Sequence, residues 1–107
     1  MPIDPNRRRD PAGRSARLTA DDAETLAIRA VGFLAGEEDR FLRFVALTGM
    51  TVDAVRARLA DPAVLGAVLD FVLADEALLL AFCAEAEIAP ELPARARRLL
   101  PGAPPEA

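Results

Sequence analysis

The chain contains no histidine, lysine, glutamine, tryptophan or tyrosine, and Cys83 is its only cysteine. Without histidine or a second cysteine it cannot build a zinc site of the usual kind. Neither a Ser-His-Asp nor a Cys-His nucleophile can be assembled from it. The absence of lysine excludes a Schiff base and a Walker-type phosphate loop. Carboxylates, arginines and one thiol remain, so we predict a protein that is not an enzyme and has no metal or cofactor site.

The single cysteine and the lengths of the apolar runs indicate in which cellular compartment we expect the protein. Cys83 lies within an apolar run, which is typical of a small buried side chain. A chain that forms no internal disulfide fits a reducing cytoplasm. No apolar run follows the basic N-terminal residues, so we predict no signal peptide. The longest apolar stretch, residues 63–86, is interrupted by Asp70, Asp75 and Glu76, which argues against a transmembrane helix.

Charge divides the chain into a basic arm and an acidic body. Residues 1–17 carry five arginines against two aspartates, whereas residues 18–107 carry eight arginines against fifteen acids. We predict that the arm, including Arg7, Arg8 and Arg9, is disordered. A Pro-rich tail at 101–107 is also predicted to be disordered. The acidic body argues against nucleic acid as a broad partner.

The segment between these two tails is predicted to be helical. Apolar residues recur at helical spacing and β-branched runs are absent, which predicts an all-α domain over residues 18–100 with five to six short helices. Helix starts are predicted at the capping residues Thr19, Thr51 and Asp61, the last followed by Pro62. Gly36 and Gly49 are predicted helix ends. A last helix over 94–100 is predicted to turn Ala96, Leu99 and Leu100 inward and Arg95, Arg97 and Arg98 outward.

A phrase repeated after fourteen residues, Leu-Ala-Asp-Pro-Ala-Val-Leu from Leu59 and Leu-Ala-Asp-Glu-Ala-Leu-Leu from Leu73, predicts two helix caps. On this interpretation Asp75 opens a second helix, as Asp61 opens the first. The alternative is one continuous helix over residues 62–87, with Asp75 and Glu76 on its solvent side.

A weaker repeat has a period of about 38 residues. It aligns Glu38, Leu42, Phe44, Ala46 and Met50 with Glu76, Leu80, Phe82, Ala84 and Ile88. A duplicated helix pair would produce this alignment. Coincidence in a chain rich in Ala, Leu and Arg is the interpretation that we favour.

The stretch from Phe41 to Leu59 resembles a DNA-binding helix-turn-helix, with a Gly turn and a Thr cap. The positions that would read bases hold mainly Val, Asp and Ala, which are poor base readers. Two helices joined by ordinary caps explain the pattern more simply. The alternative function that it suggests is a DNA-associated regulator, with contacts from Arg7, Arg8, Arg9, Thr51, Arg56 and Arg58.

Three segments together resemble a known family: residues 26–35, residues 41–49 and, most specifically, residues 68–82, Val-Leu-Asp-Phe-Val-Leu-Ala-Asp-Glu-Ala-Leu-Leu-Leu-Ala-Phe. The chain is similar over about residues 20–100 to domain of unknown function 3572, a family of small helical alphaproteobacterial proteins. The family has no assigned activity or site. The resemblance implies a short cytoplasmic helical protein and suggests a response regulator as a partner to test.

We therefore expect a small non-catalytic protein-interaction module, an adaptor or regulator that binds a protein partner or itself. Residues 64–83 carry more apolar side chains than one helix pair needs to bury internally. The expected contact residues are Phe71 and Leu80, as exposed apolar side chains, with their acidic neighbours Asp70 and Glu76. Helix caps and solvent-facing positions account for the same carboxylates without catalysis.

Overall fold

The computed structural model describes residues 18–102, which form six α-helices and no strand. The helices are α1 (Ala20–Ala35), α2 (Glu38–Thr48), α3 (Val52–Ala57), α4 (Pro62–Leu73), α5 (Glu76–Ala86) and α6 (Leu92–Arg98). The predicted all-α fold is confirmed. The predicted arm lies outside the described residues, as does the tail beyond Gly102, while Pro101 and Gly102 form a turn.

Side-chain caps begin four of these helices. The Thr19 hydroxyl accepts from the Asp22 N–H at 3.1 Å, and the Asp22 carboxylate accepts from the Thr19 N–H at 3.0 Å, a complete capping box. Thr51 caps α3 by accepting from the N–H of Ala54, and Asp61 caps α4 by accepting from the N–H of Ala63. Each cap satisfies an N–H that the helix leaves without an internal partner.

The segment 62–87 forms two helices, as the repeated phrase predicts. α4 ends at Leu73, and the Asp75 carboxylate accepts from the N–H of Leu78 at 3.2 Å to begin α5. The cap at Asp75 therefore separates two short helices where apolar periodicity alone would continue a single one.

Helices α1 and α4 form the centre of the bundle and pack against each other. α2 packs mainly on α1, and α5 packs mainly on α4. α6 covers both central helices, whereas α3 is not among the helices that pack closely on them. The core contains small residues of α1, such as Ala23, Ala27 and Ala30, against larger residues of α4, such as Leu65, Val68 and Leu69. Alternating small and large side chains let the two helices approach closely.

The two halves of the domain correspond residue by residue at the 38-residue spacing. α1 ends at Ala35 and α4 at Leu73, while α2 and α5 are both eleven residues long and begin at Glu38 and Glu76. Each of the eleven-residue helices ends in a left-handed residue, Gly49 with φ 77° and Glu87 with φ 59°.

Two pairs of aromatic rings connect the halves reciprocally. The ring of Phe33 in α1 lies 5.4 Å from that of Phe82 in α5, and the ring of Phe71 in α4 lies 5.4 Å from that of Phe44 in α2. Phe71 is the counterpart of Phe33 and Phe82 that of Phe44, so exchanging the halves turns one pair into the other. Such reciprocity is what a two-fold relation produces. The matched helix ends and ring contacts favour a duplicated helix pair, the alternative to the coincidence that was preferred from sequence.

The third helices of the two halves, α3 and α6, differ. The prediction that Arg97 of α6 points outward was wrong. α6 begins at Leu92 and carries Pro93 in its first turn, where a missing N–H costs nothing. Arg97 is buried rather than outward: its guanidinium makes two hydrogen bonds to Asp70, at 2.7 and 3.2 Å. It also donates to the carbonyl oxygens of Leu100 and Pro101. These bonds compensate the burial of its charge. Leu99, predicted inward, is exposed.

Candidate interaction surface

The most exposed large apolar side chains of the described residues are on α2. Leu47 is 71% exposed and Leu42 is 52% exposed, more than any other apolar residue of comparable size in residues 18–102. The others are Ile28, Val52, Leu80 and Leu99. Scattered exposed apolar residues are normal on proteins, but the single eleven-residue helix α2 carries both of the most exposed ones.

A shallow hollow of about 370 Å³ lies beside Leu47 and is lined by Arg43, Ala46, Leu47 and Phe71. The Arg43 guanidinium lies 5.9 Å from the centre of the Phe71 ring and donates to the Asp75 carboxylate at 3.2 Å. The ion pair therefore holds Arg43 beside the ring. We call the surface formed by Leu42, Arg43, Ala46, Leu47 and Phe71 the α2 face.

The corresponding place in the other half is narrower. There Arg29 donates to the Ala86 carbonyl oxygen at 2.9 Å. The gap bounded by Arg29, Phe33, Phe82 and Glu85 is only about 110 Å³. The arginine lies on α1 in that half, whereas the hollow of the α2 face is lined by Arg43 from α2.

The four residues predicted as partner contacts divide into two groups. Leu80, 47% exposed, and Glu76 are exposed on α5 as expected. The expectation that Phe71 is exposed was wrong: the side chain is only 8% exposed because its ring packs edge-on against Phe44. Asp70 is exposed, but its carboxylate is bound to Arg97.

Sequence reasoning did not identify Leu42 or Leu47 as contact residues. The 38-residue repeat holds a signal for Leu42, because it aligns this residue with Leu80, the one leucine of α5 that was expected to be exposed. No comparable signal points to Leu47, whose counterpart is Glu85.

The residues of the helix-turn-helix alternative lie around α3. Thr51 accepts from the Ala54 N–H and so acts as a cap. Arg58 is held by Asp61 at 2.9 Å, while Arg56 is exposed with Asp53 at 4.0 Å. α3 has only six residues, so it offers less than two turns to a groove. Arg7, Arg8 and Arg9 lie outside the described residues.

Comparison with known proteins decides the family. Residues 20–103 match the family described as Protein of unknown function (DUF3572). The chain belongs to this family. The matched range begins with the first residue of α1 and includes all six helices. No curated protein and no solved structure matches this DUF3572 chain.

In this DUF3572 domain the perturbed ionisable groups are explained by local structure. The hydrogen bond from Arg58 and the N–H of Ala63 lower the pKa of Asp61. The N–H of Leu78 and the Arg43 side chain lower the pKa of Asp75. Burial raises the pKa of the Cys83 thiol, and the charge of Glu91 raises it further, so the thiol stays protonated and a poor nucleophile at neutral pH.

Residues 18–102 contain neither a metal-binding cluster nor a membrane-spanning helix. No group of three or more acidic or cysteine residues there is arranged to hold a metal ion. No helix in the same range combines the length and apolar character needed to cross a membrane.

Proposed function

We propose that this protein is a non-catalytic protein-interaction module whose α2 face binds a partner protein. One observation carries the proposal: Leu47 is 71% exposed beside an apolar hollow that has the Phe71 ring in its lining. Burying a leucine side chain stabilises a complex by about 1.5–3 kcal/mol. Binding energy at interfaces is concentrated in a few such apolar anchors and the hollows beside them.

The chemistry of the α2 face indicates the kind of partner. Arg43 and Leu47, four residues apart on one side of α2, border the hollow together with Ala46, which suits an amphipathic helix laid along this side. The described residues carry eight arginines and fourteen acids, and acids Glu38 and Asp39 begin α2. A partner with basic residues around its apolar stripe is therefore favoured electrostatically. A second copy of the chain and a response regulator are the two candidates to compare first.

Affinity capture tests the proposal if wild type is compared with a variant of the α2 face. Tagged wild type and Leu47→Asp would be used to capture proteins from the source lysate, with and without nuclease. The matched control is Leu99→Asp, another exposed leucine, which directly follows α6. We expect one stoichiometric protein that survives nuclease, is retained by the control and is lost with Leu47→Asp. Circular dichroism would verify that all three proteins fold.

Other results of the capture contradict the proposal. If a captured protein binds Leu47→Asp as tightly as it binds wild type, the α2 face is not its binding site. Nucleoid proteins that disappear after nuclease treatment would favour the DNA-associated alternative. Light scattering of the purified chain at increasing concentration tests self-association separately, because a dimer that Leu47→Asp dissociates would make a second copy the partner.

A further inference from the structure

Two residues of α4, Gly66 and Asp70, form the site on which α6 packs. The guanidinium of Arg97 lies against Gly66, where an added Cβ would stand 3.0 Å from the central guanidinium carbon. One helical turn further, Asp70 receives two hydrogen bonds from the same guanidinium. The missing side chain at position 66 and the carboxylate at position 70 together allow α6 to bury its arginine.

The corresponding positions on α1 cannot bind a helix of this kind. Ile28 stands where α4 has Gly66, and Gly32 stands where α4 has Asp70. A guanidinium would meet the isoleucine side chain and would find no carboxylate. Arg58 lies 39 positions before Arg97, one more than the period of the repeat. It pairs with Asp61 at the surface instead of with α1. This replacement explains why α3 does not cover α1 as α6 covers α4.

The result is an apolar stripe along α1 without a helix over it. Ile28 is 44% exposed, Gly32 and Ala35 are exposed, and Val31 is partly buried. These four residues follow the i, i+3, i+4, i+7 spacing of one helix face. A Cβ added at Gly32 would meet no atom within 4 Å, so the backbone of α1 is open to a close approach there.

The stripe leads into a groove of about 190 Å³ between α1, α2 and α3, the α3 groove. Its apolar lining consists of Val31, Ala35, Phe41, Val52, Val55 and Leu59. Arg56 is the one charged residue of the lining. Its side chain is 76% exposed, and the carboxylate of Asp53, its ion-pair partner on α3, is 4.0 Å away and outside the lining.

We propose that the α1 stripe and the α3 groove bind an amphipathic helix of a partner protein. The helix would place one large aliphatic or aromatic side chain in the groove and a carboxylate one turn away against Arg56. Two observations favour this occupant: Gly32 admits a second backbone beside an uncovered apolar stripe, and Arg56, the one charged residue of the lining, calls for an opposite charge. A groove of this volume is smaller than the roughly 300–1,000 Å³ of small-molecule sites, which favours a single anchoring side chain.

This surface is separate from the α2 face and does not depend on the proposed function there. It uses the other side of α2, through Phe41, and none of Leu42, Arg43, Ala46 or Leu47. A protein can bind partners at both surfaces, at one or at neither, so experiments at the two surfaces have independent outcomes.

The test uses the full chain and a displayed library of random peptides about four helical turns long. Peptides selected on wild type would be synthesised, and their affinities measured by fluorescence anisotropy for wild type, Ile28→Asp and Arg56→Glu. Leu80→Asp, an equally exposed leucine on α5, is the matched control. Ile28 and Arg56 are both exposed, so neither change should unfold the domain, and thermal denaturation would verify this.

We expect a consensus with a large apolar residue and an acid three or four positions away. Ile28→Asp and Arg56→Glu should each weaken binding by about tenfold or more, while Leu80→Asp and Leu47→Asp should not. Replacing the acid of the peptide by arginine should restore affinity for Arg56→Glu. The proposal is overturned if no peptide is enriched, if the enriched peptides bind Ile28→Asp and Arg56→Glu as well as wild type, or if arginine in the peptide does not rescue binding.

Discussion

Arg97 and Asp70, 27 positions apart in the chain, form a two-point ion pair in which the arginine is buried and the aspartate is half exposed. The same guanidinium donates to two carbonyl oxygens that follow α6. One side chain thereby connects α4, α6 and the turn after it. A planar group with several fixed donors is needed for four bonds in different directions, and lysine cannot provide it.

Arg97→Lys should therefore destabilise the domain although it keeps the charge. We expect a loss of about 2 kcal/mol in the free energy of unfolding, because buried acceptors lose their donors. Urea denaturation measures it. The control is the exposed Arg56→Lys, which should change stability by less than about 0.5 kcal/mol. Equal effects of the two changes would contradict the structural role assigned to Arg97.

Phe44→Leu and Phe82→Leu should cost similar amounts of stability. Both rings are fully buried, and each pairs with a ring of the other half at 5.4 Å. We expect each change to lower the free energy of unfolding by about 1–2 kcal/mol. Chemical denaturation of the two variants checks this, and a large cost for one with none for the other would show that the halves are not equivalent in the core.

Glu87→Gly should make the protein more stable. Glu87 holds φ at 59°, and the N–H of Ile88 donates to the Cys83 carbonyl oxygen to complete the helix end. Glycine adopts this conformation without steric cost, so we expect a gain of about 0.5–1 kcal/mol. Glu85→Gly, two residues earlier and inside the helix, should cost about 1 kcal/mol. Thermal melts should thus shift in opposite directions.

The stability difference between wild type and Asp75→Asn should depend on pH. Hydrogen bonds from the Leu78 N–H and from Arg43 lower the pKa of this carboxyl below its ordinary value of 3.8. The ionised group therefore stabilises the fold above that pH, and the contribution is lost as the pH falls through the folded-state pKa. The unfolding free energies of the two proteins, measured by urea denaturation, should draw together as the pH falls below about 4, the value of an unperturbed aspartate. A stability difference that stays constant across this range would contradict the role of the ionised carboxylate.

Cys83 should react slowly with thiol reagents while the protein is folded. Its side chain is buried, its S–H lies 3.9 Å from the Ala89 carbonyl oxygen, and burial raises its pKa. Labelling with iodoacetamide at mildly alkaline pH should accelerate sharply across the urea unfolding transition. Labelling in native buffer as fast as in denaturant would contradict the burial of this thiol.

Four of the six helix starts follow from local chemistry, and this is why sequence was sufficient for them. The last helix has no side-chain cap, and its bounds were predicted two residues too late. Thr19 with Asp22, Asp61 with Pro62, and Asp75 each satisfy an N–H within three residues, so short stretches contain the whole signal. The break between α4 and α5 depends on one such cap, and apolar periodicity could not have located it.

Burial could not be predicted in the same way. α5 is apolar on nearly every side, so its pattern does not say that Phe82 points inward and Leu80 outward. Arginine is seldom fully buried, and the reasons why Arg97 is buried, Gly66 and Asp70, lie on another helix. The α2 face was missed for a similar reason, since the lining of its hollow includes Phe71, which lies on another helix.

The position of α6 has a consequence for the order of folding. This helix packs on α1 and α4 at once, and it is the last of the six to be synthesised. A nascent chain that has completed α5 still lacks the helix that covers α1 and α4, and Asp70 still lacks its arginine. We therefore expect the bundle to reach its full stability only after Arg97 has been synthesised, because domains generally fold as units.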